Sequence, residues 1–142
     1  MALVPASHGL IEIDYYQKIY LKEEISARLN QLLDYWSSDN SQIIYDEFAD
    51  SYSKYQVKRL EFTNRMLKKK WLPNKDTTQL DSENVKFIGL SRAFVVVNLE
   101  FYNKRNPNKK FSRAVTLNLT YEDVDLKRTW FFDLLPLLRA SF

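Results

Sequence analysis

Three carboxylates, Asp46, Glu47 and Asp50, stand beside the phenols Tyr45 and Tyr52, and a fourth, Asp133, follows Trp130 and two phenylalanines. A carboxylate near a substrate proton can act as a general base if its surroundings tune its pKa. A phenol can donate to a developing oxyanion. Spacing argues against that use here. Ile44, Phe48 and Tyr52 recur at i, i+4 and i+8, the apolar face of a helix. Asp46, Glu47 and Asp50 then fall on its wet face, so no catalytic residue is assigned. The chain has no cysteine, and its one imidazole, His8, lies in "MALVPASHG", which reads as a tag remnant. Thiol chemistry, Ser-His-Asp chemistry and the usual zinc ligand sets are absent from the rest, and no metal site is assigned. Only two glycines occur, which excludes Gly-rich phosphate loops, and no cofactor is expected.

Three kinds of binding surface can be drawn instead. Trp36, Tyr45, Phe48, Tyr52, Val97, Phe101, Leu117 and Trp130 could line an apolar pocket, although aromatic residues of this kind also build cores. Lys58, Arg65 and Lys69 stack on one side of a helix, next to "KKK" at 68–70, and could hold an anionic polymer or surface. Loop residues Lys104, Arg105, Lys109 and Lys110 would extend that patch. Phe62 and Met66 lie off the apolar stripe of their helix, and Phe94 and Val96 lie off the main face of their strand. All four are candidates for an interface with a protein partner or a second copy.

Charge is unevenly placed. The net charge is +3, but residues 1–53 sum to −6, residues 54–75 to +7 and residues 76–142 to +2. The two opposed blocks are adjacent, so they could neutralise each other in the fold or leave a basic face for an anionic partner. No apolar run is long enough to span a membrane as a helix.

The elements that must position these residues follow from periodicity. With 142 residues, 45% apolar, the chain reads as one domain over 10–142 behind a tag-like or disordered lead at 1–9. Ile25, Leu29, Leu32, Leu33 and Trp36 predict a first helix that "SSDN" ends. A second, shorter helix carries Ile44, Phe48 and Tyr52. A third is predicted over about 57–71, with Val57, Leu60, Leu67 and Trp71 on its apolar side. Strand alternation then takes over. "NVKFIGLS" is a weak strand containing Gly89. In "RAFVVVNLEFY", Ala93, Val95, Val97, Leu99 and Phe101 share a face. In "FSRAVTLNLTYEDV", Val115, Leu117, Leu119 and Tyr121 do so. "LKRTWFFDLLPLL" is read as the last strand. Helices grouped before an antiparallel meander predict an α+β domain, with three N-terminal helices packed on a curved antiparallel sheet.

The run from "YWSSDNSQIIYDEFADSYSKYQVKRLEFTNR" to "TLNLTYED…RTWFFDLL" resembles the nuclear transport factor 2-like, or cystatin-like, superfamily over residues 23–135. Within it, the pattern is most similar to the accessory domain of bacterial cell-wall L,D-transpeptidases. That enzyme's Cys and His motif is absent here, so its activity is not carried over. The resemblance implies a cone-shaped fold whose cavity is a site in some members and packed shut in others, with dimers or partners on the outer sheet face. It implies a non-catalytic interaction or dimerisation domain, accessory to a bacterial envelope or secretion assembly in the periplasm or cell envelope. The alternative is a protein with a small-molecule pocket, binding or weakly catalytic. The lack of cysteine fixes no compartment.

Overall fold

A computed structural model describes residues 15–78, 84–89 and 91–140, with side chains from residue 20 onward in the first helix. The tag-like segment and His8 lie outside the described residues. The chain is α+β. Four helices come first: α1 (Tyr15–Ser37), α2 (Ser41–Phe48), α3 (Ser51–Gln56) and α4 (Arg59–Leu67). Five strands follow: β1 (Trp71–Pro73), β2 (Val85–Ile88), β3 (Arg92–Asn103), β4 (Lys110–Val124) and β5 (Lys127–Phe132). A short helix, α5 (Leu135–Arg139), comes after β5.

The strands form one curled antiparallel sheet in the order β1-β3-β4-β5. β1 and β2 share one edge of β3: β1 pairs with Phe101–Asn103 and β2 with Arg92–Val95. Period-two alternation is the reason the sheet has one apolar face. Ala93, Val95, Val97, Leu99 and Phe101 are all buried, opposite Leu119, Leu117, Val115, Arg113 and Phe111 in the β4 register. Helix α1 supplies the facing layer. Its stripe of Ile25, Leu29, Leu32, Leu33 and Trp36 is at most 2% exposed. Each such side chain contributes about 1.5–3 kcal/mol by leaving water. Trp36 meets Phe101 edge-on at 5.8 Å, and Phe48 meets Phe132 at 6.2 Å.

Four expectations about elements are corrected. The second helix breaks at Ala49, whose backbone is extended, and Asp50 caps a separate α3 by accepting from Ser53 N at 2.7 Å. Tyr52 therefore starts a new phase and is 55% exposed, rather than facing the sheet. The third helix starts at Arg59, with Lys58 extended before it, and ends at Leu67. Val57 belongs to the end of α3 and Trp71 to β1, so neither shares a face with Leu60 and Leu67. The apolar stripe is inverted: Leu60 and Leu67 are exposed, while Phe62, Thr63 and Met66 are buried. Gly89, with φ +68°, lies in the turn after β2 rather than within the strand. The final apolar run is a strand only to Phe132. Pro136 then sits in the first turn of α5, where its missing N–H costs no helical bond.

The outer edge of β5 is closed by side chains and loop backbone. Asp50 N donates to Phe132 O at 2.9 Å, and Ala49 bridges Phe132. Arg28 Nε donates to Trp130 O at 3.1 Å. These contacts satisfy carbonyls that an exposed edge would offer to another chain.

Candidate functional site

Most of the expected pocket residues are packed against one another. Trp36, Phe48, Val97, Phe101, Leu117 and Trp130 are at most 3% exposed and belong to the main core. Tyr45 is buried among them, its ring 5.4 Å from Phe62 and its hydroxyl donating to Val57 O at 2.8 Å. Burial, and after it the nearby Asp46, pushes its pKa up. Its proton is engaged by backbone, and Tyr52 faces solvent. Trp130 Nε1 is buried and has no hydrogen-bond partner among the described residues; its ring lies against Phe87 at 5.8 Å and Tyr121 at 5.3 Å.

The carboxylates divide as follows. Asp46 and Glu47 are exposed, as their helix face implies, and pair with Arg59 at 2.8 Å and Lys127 at 2.6 Å. Asp50 is 5% exposed, against expectation, because capping α3 draws it beneath the end of the sheet. Burial raises its pKa; its bonds from Ser53 oppose that shift, and Asp133 adds to it. Glu122 is also buried and was not singled out from sequence. It accepts from Ser51 N at 2.7 Å and Ser51 Oγ at 3.1 Å, and burial raises its pKa too. Ser53 Oγ accepts from Leu134 N at 3.0 Å and lies 3.4 Å from Asp133 Oδ1, which accepts from Leu135 N at 3.1 Å. The network fastens the start of α3 to β4 and to the start of α5. Its partners are backbone amides and serine hydroxyls of the same fold, which is a structural arrangement. Among the described residues, no group of three or more His, Cys, Asp or Glu could hold a metal ion.

Two surface cavities carry polar chemistry. One, of about 620 Å³, lies between α1 and α2 and is lined by Arg28, Asp34, Tyr35, Asp46, Glu47 and Lys127, among others. Its charges are answered within the fold: Asp34 by Lys75 at 2.6 Å, Asp46 by Arg59, and Glu47 by Lys127. Arg28 is held in its wall over the Phe48 ring, 4.3 Å from the centroid. Phe48 is the one expected pocket residue that lines either cavity.

The second cavity, of about 520 Å³, is a basic groove lined by Leu67, Lys68, Lys69, Lys70, Asn103, Lys104 and Arg105. Strand pairing builds it. Trp71 lies opposite Asn103, and Lys104 N donates to Lys70 O at 2.9 Å, so the run at 68–70 meets the β3–β4 loop. No carboxylate is among its lining residues. Of the expected patch and its extension, Lys68, Lys69, Lys70, Lys104 and Arg105 line this groove, whereas Lys58, Arg65, Lys109 and Lys110 do not. Lys58 precedes α4, and Arg65 pairs with Glu61 at 3.6 Å. The ammonium of Lys69 donates to Leu138 O at 2.8 Å and to Ala140 O, which caps α5. Desolvation, and then Arg65, lowers its pKa. The element that makes this meeting is β1, which the sequence periodicity reads as the end of a helix; the signal was "KKKWLP", where a strand precedes the proline.

The interface candidates also separate. Phe62 and Met66 are 1% and 5% exposed and fill the space beneath α4, so they form no surface. Phe94 is part-exposed and Val96 is 46% exposed. They share the convex face of the sheet with the exposed Asn98, Thr116 and Asn118.

A scan against protein-family models found no match, and a search of curated protein sequences found none either. No described helix is long and apolar enough to cross a membrane.

Proposed function

We propose that this chain is a non-catalytic interaction domain of the nuclear transport factor 2-like type, accessory to a bacterial envelope or secretion assembly, that pairs through the convex face of its sheet with a second copy. The α+β order and the curled sheet support the reading, together with the aromatic and apolar pattern over residues 23–135. The observation that carries it is the uncovered face itself. Val96 is 46% exposed at the middle of the central strand β3, beside Phe94, in a field of small polar residues from β4. Covering an apolar centre ringed by polar groups is how protein interfaces are built.

Sedimentation velocity over a concentration series tests it. The wild type should dimerise, and Val96→Glu should shift it to monomer with an unchanged unfolding midpoint. A wild type that stays monomeric at every concentration, or a Val96→Glu variant that associates equally well, refutes sheet-to-sheet pairing.

A further inference from the structure

Among the described residues, three cations without an ion pair meet in one groove. Asp34 and Asp46, from the acidic N-terminal block, are matched by Lys75 and Arg59 of the following basic block. Asp39 takes Lys104 at 2.9 Å. Lys68, Lys70 and Arg105 are exposed and enter no ion pair among the described residues, yet all three line the same groove. The C-terminal end of α4 offers a partial negative charge there, roughly half an electron. Lys104 already answers it by lying 3.4 Å from Leu67 O. What remains is three unpaired cations held together by a backbone hydrogen bond, where their mutual repulsion brings the fold no return.

We infer that this groove binds the phosphodiester backbone of single-stranded nucleic acid, independently of base sequence. Three features favour that ligand. Four of the five cations are lysines, point charges that accept an anion from many directions rather than reading one geometry. The site is concave, so a strand can lie in it where a flat bilayer cannot. Lastly, Trp71 follows Lys70 directly and pairs with Asn103 of the groove, and its part-exposed ring lies edge-on to Phe111 at 4.8 Å. Arg113 lies over Phe111 at 5.4 Å. Cations beside an accessible aromatic are the combination that holds bases and phosphates of a single strand. A carboxylate polymer would use the charges and leave the indole unaffected.

The test is fluorescence anisotropy with a short fluorescein-labelled oligothymidylate, titrated at several salt concentrations. Three neutralised phosphates predict a slope of about −2 in log K against log salt. Lys68→Glu/Lys70→Glu/Arg105→Glu should weaken binding at least tenfold and flatten the slope. Lys86→Glu, an exposed lysine of β2 outside the groove, should change neither. Unlabelled oligothymidylate should quench tryptophan emission, because Trp71 is part-exposed whereas Trp36 and Trp130 are buried. Trp71→Phe should remove that quenching. Circular dichroism checks that the variants are folded, and Lys68→Gln/Lys70→Gln repeats the test without added acid. Absence of binding at low salt overturns the inference. So does equal displacement by polyglutamate without quenching, which marks an acidic-protein site, or preferential capture by phosphatidylserine vesicles, which marks a lipid surface. Because Val96 is on the sheet face, Val96→Glu should leave oligonucleotide binding intact, so the two readings can fail separately.

Discussion

Removing the guanidinium of Arg28 should destabilise the protein through the edge of its sheet. Arg28 is 8% exposed, donates to Trp130 O at 3.1 Å and to Glu47 O at 2.6 Å, and lies over the rings of Phe48 and Phe131. Burial lowers its pKa, and Glu47 and then Glu24 oppose that shift. Arg28→Met keeps the apolar stem and deletes the fork. Trp130 O is then a buried carbonyl without its partner, a loss of about 1–3 kcal/mol. Glu47 O borders the open cavity, where water can replace the bond, so it adds only about 0.5 kcal/mol. The lost cation–π contact adds about 1 kcal/mol. Relief of the buried charge offsets part of this, leaving a net loss of about 2–3 kcal/mol. With a urea slope of about 2 kcal/mol per molar, the midpoint should fall by about 1–1.5 M. Arg28→Lys, which cannot fork to both carbonyls, should fall between the two. A midpoint shift below about 0.3 M with an unchanged slope would refute the reasoning, since water would then serve the β5 edge as well as the arginine does.

Three further outcomes follow from buried or strained groups. Tyr45→Phe leaves Val57 O without its donor and should cost about 1–2 kcal/mol in urea unfolding; no loss would mean the bond contributes nothing net. Glu122 has a raised pKa in the folded state, so the folded protein holds that proton more tightly than the unfolded chain does. Its contribution therefore falls as pH rises from the ordinary carboxyl value, about 4, through the raised one. Glu122→Gln should flatten that part of the stability-against-pH curve, and an unchanged slope would sink the assignment. In the two-residue β4–β5 hairpin, Asp125 and Leu126 both have positive φ, 52° and 67°, and Leu126 is 99% exposed. Leu126→Gly relieves the left-handed penalty without losing a contact and should raise stability by about 0.5–1 kcal/mol; a loss in thermal unfolding would show that the leucine is needed there.

How much of this was legible in the sequence depends on how many residues shared one period. The face of β3 was readable because its ten positions from Arg92 to Phe101 alternate without interruption, and that of β4 because Ala114–Leu119 do. Helix α1 was readable for a similar reason, since five apolar residues keep one stripe. The segment 57–71 was misread because Val57 and Trp71 were counted on a helical wheel although they lie beyond both ends of α4. Those two outside residues rotated the inferred face toward Leu60 and Leu67 and away from Phe62 and Met66. The break at Ala49 had a local signal, Asp50 three residues before Ser53, which is capping spacing. The i, i+4 and i+8 match of Ile44, Phe48 and Tyr52 outweighed it. The basic groove was legible as two charge runs, at 68–70 and 104–105, expected to extend one patch; the β1–β3 pairing that brings them together is a long-range register that periodicity alone does not supply.

That pairing also explains why the groove remains after the rest of the surface is accounted for. β1 has only three residues and ends in Pro73, which blunts an edge strand because it has no N–H to offer. At the other edge, β5 is closed by Arg28 and by the backbone of Asp50. Charges that could have balanced Lys68, Lys70 and Arg105 are used elsewhere: Asp34, Asp46 and Glu47 neutralise cations around the α1–α2 cavity. Exposed ion pairs of this kind contribute little stability, so the fold gains little by choosing these partners. It does gain a consistent polarity. Part of the acidic block is neutralised where it lies, and three cations without an ion pair meet at the β1–β3 end of the sheet beside the part-exposed Trp71. A surface that is merely solvated has no need of that sorting, which is why the groove is the place on this protein to look for an anionic partner.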